Sequence, residues 1–122
     1  MKCNKTNFWI GVAGLNGFMA VAMGAVAAHA IADAAAASMA NKASLYQLIH
    51  AVVLVAMASR SDKALCVASW VFLLGISLFC GSLYLRALMG WDAVTTVAPA
   101  GGVSLMIGWL LLSVAALRND AP

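Results

Sequence analysis

Charge is what this chain has least of: Asp, Glu, Lys and Arg together make up 9% of its 122 residues, where a soluble globular domain carries about a quarter. Too few charges remain to clothe a water-facing surface, which excludes an ordinary soluble fold. Cysteines are also few and poorly spaced for chemistry. Cys3 precedes the first apolar run, while Cys66 and Cys80 stand fourteen apart in one run, with no C-x-x-C and no ligand at metal spacing. They read as small thiols that pack like Ala or Ser. Ser-His-Asp triads, paired carboxylates and phosphate-binding loops are missing as well, so nothing supports an enzyme. No linker, charge run or polar tail marks a second domain, and one domain over residues 1–122 is expected.

What the chain does have is apolar length. Hydrophobic residues make up 65% of it, and the mean hydropathy is +0.98. A helix needs about 20 apolar residues to cross roughly 30 Å of hydrocarbon, so the charged positions parse the sequence directly. Four spans are predicted, at approximately 8–32, 43–59, 64–85 and 97–117, with Arg60, Asp62 and Lys63 in a tight turn between the second and third. Pro99 falls early in the last span, where a missing N–H costs least. The expected fold is therefore all-α, a four-transmembrane-helix bundle. A rival parse takes Lys2, Lys5 and the Ala28-His29-Ala30 triplet as a cleaved signal peptide, but the apolar run is too long for a 7–15 residue core.

Lys2, Lys5, Arg60, Lys63 and Arg118 lie on one side of this parse, against Lys42 and Arg86 on the other. Five positives against two place both termini and the Arg60 turn in the cytoplasm. The net charge of +3 is spread thinly between apolar runs and reads as a topology signal, so a nucleic-acid partner is not expected. The bilayer itself is the expected partner, and the inner membrane of a bacterium the expected location.

Helices in lipid gain little from the hydrophobic effect and approach through small residues. On the first span Ala13, Gly17, Ala20, Gly24, Ala28 and Ile31 recur at steps of four and three. On the third, Trp70, Leu74, Ser77, Gly81 and Tyr84 share one face, and on the fourth Gly101, Ser104, Gly108 and Ala115 do. The expected packing seam runs through Gly17, Gly24, Gly81, Gly101 and Gly108. It can close within one chain, between copies, or against a larger complex.

The parse collects polar side chains in the outer half: His29 with Asp33 at i+4, then Tyr46, Gln47 and His50 on one face of the second span, and Tyr84 at the end of the third. Polar groups at membrane depth face the protein, so Gln47 and His50 should point inward. The plain reading of His50 is an interhelical hydrogen bond, worth roughly 0.6 kcal/mol on average. The sharper reading makes it a haem or metal ligand or a proton-handling group. No metal site is expected, since His29 lies some 120° from the seam of its own helix by the 100° helical count.

With these residues in view, the chain resembles the family called domain of unknown function 423, small bacterial membrane proteins similar to transmembrane protein 256. The likeness rests on Gly24-Ala25-Val26-Ala27-Ala28-His29-Ala30, on Tyr46-Gln47-Leu48-Ile49-His50-Ala51, on Leu78-Phe79-Cys80-Gly81-Ser82-Leu83-Tyr84, and on Pro99-Ala100-Gly101-Gly102 with Gly108-Trp109. Departures are Ala27, Cys80 and Ala98. The resemblance implies a four-span membrane protein without an agreed activity. The expected role is a non-enzymatic accessory or structural component that packs with itself or with a larger membrane complex, without a cofactor. A haem- or quinone-binding redox subunit is the alternative, and a conduit for a small solute or proton the third reading.

Overall fold

The computed structural model describes residues 5–119, and Lys2 and Cys3 lie outside them. The described chain is helical, with no strand. Helix α1 spans Thr6–His29, a run without charge or proline, and closes with the Ala30 amide on the Val26 carbonyl at 2.8 Å. A short turn leads to Asp33, whose carboxylate accepts from the Ala36 amide at 2.9 Å and caps helix α2, Ala34–Ala58. The helix thus begins well ahead of the expected residue 43. Asp62 repeats the device through the Ala64 amide at 2.7 Å and starts helix α3, Lys63–Met89. Lys63 is accordingly a helical residue rather than part of the turn.

Helix α3 stops at Gly90, the one described residue with positive φ, at 69°. Its amide returns to the Arg86 carbonyl, a left-handed cap that suits a residue without Cβ. A 3-10 turn, Asp92–Val97, follows. It is tied down by the Arg86–Asp92 ion pair and by the Thr95 and Thr96 hydroxyls, which donate to the Asp92 and Ala93 carbonyls. Helix α4 runs from Ala98 to Asn119 with Pro99 in its first turn.

Close backbone approach occurs between α1 and α2, α2 and α3, and α3 and α4. Helices α1 and α4 do not meet among the described residues. Side chains bridge the remaining gaps: Trp9 packs edge-on against Trp70 between α1 and α3, centroids 4.9 Å apart, and His50 meets Trp109 between α2 and α4. The cross-section is a rhombus, with α2 and α3 on its short diagonal and α1 and α4 at the far corners. Burial follows suit, with nine buried residues on each of α2 and α3 against five on α1 and six on α4. Leu54 and Phe72, both at 0% exposure, form the centre.

The α3–α4 contact is the tightest. A Cβ on Gly75 would lie 2.6 Å from a methyl of Leu105, and one on Gly108 would lie 2.7 Å from the Phe72 ring. A Cβ on Gly101 would strike the backbone of Leu78 and Phe79. Between α1 and α2, Ser44 Oγ donates to the Ala20 carbonyl at 2.6 Å and faces Gly24. Gly17 and Gly81 have no neighbour within 4 Å of such a Cβ. The face expected on α3 is corrected: Trp70 and Leu74 are exposed, while Leu65, Ala68, Phe72, Gly75 and Ile76 are buried. Large rings and one glycine, rather than a run of small residues, shape that contact. Cys80 is a buried free thiol, whereas Cys66 is disulfide-bonded, contrary to the expectation for it.

The outside of the bundle is broadly apolar, with Leu15, Phe18, Val52, Leu74, Leu110 and Leu117 exposed. On a soluble protein such a surface would aggregate. Among the described residues three segments are long and apolar enough to cross a membrane: Thr6–His29, Lys63–Met89, and Asp92–Asn119 with the 3-10 turn included. Helix α2, with Lys42, Gln47 and His50, is not among them.

Candidate functional site

The polar side chains of α2 organise the interior. Gln47 and His50, one turn apart, are both buried and both reach other helices. Gln47 Nε2 donates to Asn16 Oδ1 on α1 at 3.0 Å, and Gln47 Oε1 accepts from the Tyr84 hydroxyl on α3 at 2.7 Å. Asn16 Nδ2 in turn donates to the Val12 carbonyl one turn back at 2.9 Å. A chain of donors thus runs from Tyr84 through Gln47 and Asn16 to Val12, crossing three helices in one direction, so that each bond polarises the next.

His50 forms a second link. Nδ1 lies 2.6 Å from the Tyr46 carbonyl, which can only accept, so that nitrogen carries the proton. Nε2 is left as acceptor for the Trp109 indole N–H at 3.2 Å. Both ring nitrogens are engaged, and the imidazole is held in the Nδ1–H tautomer. Phe72 lies against one side of the ring, at 5.4 Å between centroids, and Tyr46 stacks beside it. Tyr46 itself is half exposed. It forms one lip of a groove of about 500 Å³ between α2 and α4, with His50, Phe79, Pro99, Val103 and Trp109 among its walls.

The expected cluster is therefore divided. Gln47 and Tyr84 share one hydrogen-bonded chain, and Tyr46 and His50 share the groove. His29 belongs to neither: it is exposed in the last turn of α1. Its expected partner Asp33 lies beyond the helix end and caps α2 instead. Sequence reasoning missed Asn16 and Trp109. For Asn16 the signal was present, a lone amide in an apolar run; Trp109 stood in the Gly108-Trp109 pair of the family resemblance, but its partner His50 is fixed only by how α4 crosses α2.

The chemistry of this arrangement is that of interhelical hydrogen bonding. Among the described residues no buried side-chain nitrogen or oxygen lacks a partner, and no group of three or more His, Cys, Asp or Glu is placed to hold a metal.

Residues 23–102 match the family described as Protein of unknown function (DUF423). The chain is 35% identical to a UPF0382 membrane protein of Haemophilus influenzae, over 94% of this chain and 98% of that one. It is 34% identical to the UPF0382 inner membrane protein YgdD of Escherichia coli, over 93% and 92% respectively. It is 30% identical to the UPF0382 membrane protein YwdK of Bacillus subtilis, over 85% and 91%. No solved structure matches. Apolar helices with a lipid-like exterior and relatives alike over nearly their whole length agree, and the chain belongs to the DUF423 family of multi-pass helical proteins of the bacterial inner membrane.

Proposed function

We propose that this protein is a non-enzymatic accessory component of the membrane, a four-span bundle that packs with copies of itself or with a larger membrane complex. One observation carries the reading: the interior polar groups are engaged with one another, while α1 turns Gly11, Gly14 and Gly17 to open space. Exposed glycines, here interspersed with the large side chains of Phe18 and Val21, let a neighbouring backbone approach a helix closely in lipid. Purification in mild detergent, followed by sizing and mass spectrometry, should return a defined oligomer or a reproducible membrane partner. Gly14→Leu should abolish that association with little loss of thermal stability. A lone monomer without a partner would refute the proposal.

The same reading has α2 cross the membrane with both chain ends in the cytoplasm. Lys5, Arg60, Lys63 and Arg118 favour that side over the side of Lys42 and Arg86. A single cysteine at Ser61 should resist an impermeant thiol reagent in intact cells, and one at Ala36 or Gly90 should react. The reverse pattern inverts the orientation.

A second reading, a redox subunit, has the groove beside Tyr46 and His50 in its favour as a berth for a quinone ring. Haem fits less well, because iron at Nε2 would have to displace the Trp109 N–H. An absorption spectrum and a solvent extract of the purified protein decide it: absence of both a Soret band and quinone removes this reading.

A further inference from the structure

The end of the bundle that carries the 59–62 turn holds a feature that packing of the four helices leaves unused. Between α2 and α4, whose backbones do not meet, a groove of about 390 Å³ is walled by Val53, Met57, Leu65 and Leu112 and ends at Arg60 and Asn119. A second hollow of about 250 Å³ shares Asn119 and is lined by Lys63, Arg118 and Asp62. Among the described residues, three cations from the ends of three helices therefore converge here against one carboxylate. That carboxylate is engaged elsewhere, accepting from the Ala64 amide and from Asn119 Nδ2. Arg86–Asp92, at the other end of the bundle, is the ion pair that the described residues form; among them Arg60, Lys63 and Arg118 have no carboxylate at bonding distance, and Asp62 meets Arg118 only through its longer-range charge.

We propose that this site binds an anionic phospholipid, with an acyl chain in the Val53–Leu112 groove and the phosphate between Arg60 and Arg118. The order of the groups is that of the ligand: apolar walls at membrane depth, cations at the level of the headgroups, and an amide at the junction. Basic residues at the ends of α2 and α4 also complement the carbonyl ends of those helices, which accounts for their sign but not for an apolar groove leading up to them. A zwitterionic lipid would bring a cation of its own into the cluster, and a free phosphate ion would leave the groove empty.

The test uses the full chain, stripped of lipid in a neutral detergent. Phosphatidylglycerol should raise its melting temperature and add one lipid mass in native mass spectrometry. Phosphatidylcholine with the same chains, or inorganic phosphate, should do neither. Each cation near an anionic headgroup contributes enough that R60Q combined with R118Q should weaken phosphatidylglycerol binding about thirty-fold. Leu112→Trp, which fills the groove and leaves the cations in place, should weaken it as well. Lys42→Gln, outside the site, should not. Equal binding of both lipids, full effect from phosphate alone, or undiminished binding by the double variant or by Leu112→Trp would each overturn the proposal.

Discussion

Gly101 and Gly81 occupy the two sides of one question, what a single methyl group costs in a membrane bundle. A Cβ on Gly101 would stand 2.8 Å from the Phe79 Cα and 2.9 Å from the Leu78 carbonyl carbon, and backbone cannot swing aside as a side chain can. Gly101→Ala should therefore cost about 1–3 kcal/mol or more by forcing α3 and α4 apart. Gly81→Ala meets open space and gains helix propensity, up to about 1 kcal/mol. Thermal unfolding of both variants in one detergent should shift in opposite directions; equal shifts would contradict the described α3–α4 contact. Gly24 is intermediate, since its neighbour at 3.0 Å is the rotatable Ser44 hydroxyl. How far such facts can be read in advance depends on whether spacing or shape carries them. On α4 the contact residues recur at three and four and stand in the sequence. On α3 the same count selects exposed Trp70 and Leu74, because the contact is made by Phe72 and the isolated Gly75, which no periodicity of small residues marks.

Helix boundaries follow a different logic from membrane boundaries, and α2 shows the difference. On the four-span reading, counting charges puts the bilayer edge at Lys42; the helix begins at Ala34, because Asp33 caps it and alanines continue it. On that reading the charge pattern locates the bilayer, and the caps locate the helix. Asp62 does more than cap. Its carboxyl is held below the ordinary carboxylate range first by the Asn119 side chain, then by the Ala64 amide, with the nearby Arg118 charge adding to both. A carboxyl depressed on folding contributes stability that is fully present above its unfolded value, about 3.9. That contribution is lost as pH falls through the lower folded value. The first turn of α3 and the last of α4 should thus loosen on acidification below about pH 4. Amide exchange at Ala64 and Cys66, corrected for intrinsic rates, should report it. Asp62→Asn should show no such step, and Asn119→Ala should move the step to higher pH. A step unchanged in Asn119→Ala would show that the α3–α4 tie at this end does not form.

At the scale of the molecule, the rhombus makes a prediction that a square bundle would not. In a background without the native cysteines, Ala20→Cys with Ser44→Cys should oxidise readily within one chain, since the Ser44 side chain already touches the Ala20 carbonyl. Ala20→Cys with Leu110→Cys should give only links between chains, if any, because α1 and α4 are the far corners. An intrachain link in the second pair would close the rhombus into a square. The number and order of the helices can be read from the sequence, but the diagonal cannot, since it depends on Trp9 meeting Trp70 and on Trp109 meeting His50 across long separations. The position of α2 on that diagonal also bears on how the chain is made. On the four-span reading, α2 is the helix that hydrocarbon accepts least readily, and the groups that satisfy Gln47 and His50 come from either side of it in the sequence. Asn16 is synthesised before α2, but Tyr84 and Trp109 are synthesised after it. Partition of α2 out of the translocation channel would then be stabilised in two instalments, one bond from a helix already inserted and two from helices still to emerge. For its polar side chains the other three helices are the solvent, and the ribosome delivers two of those three last.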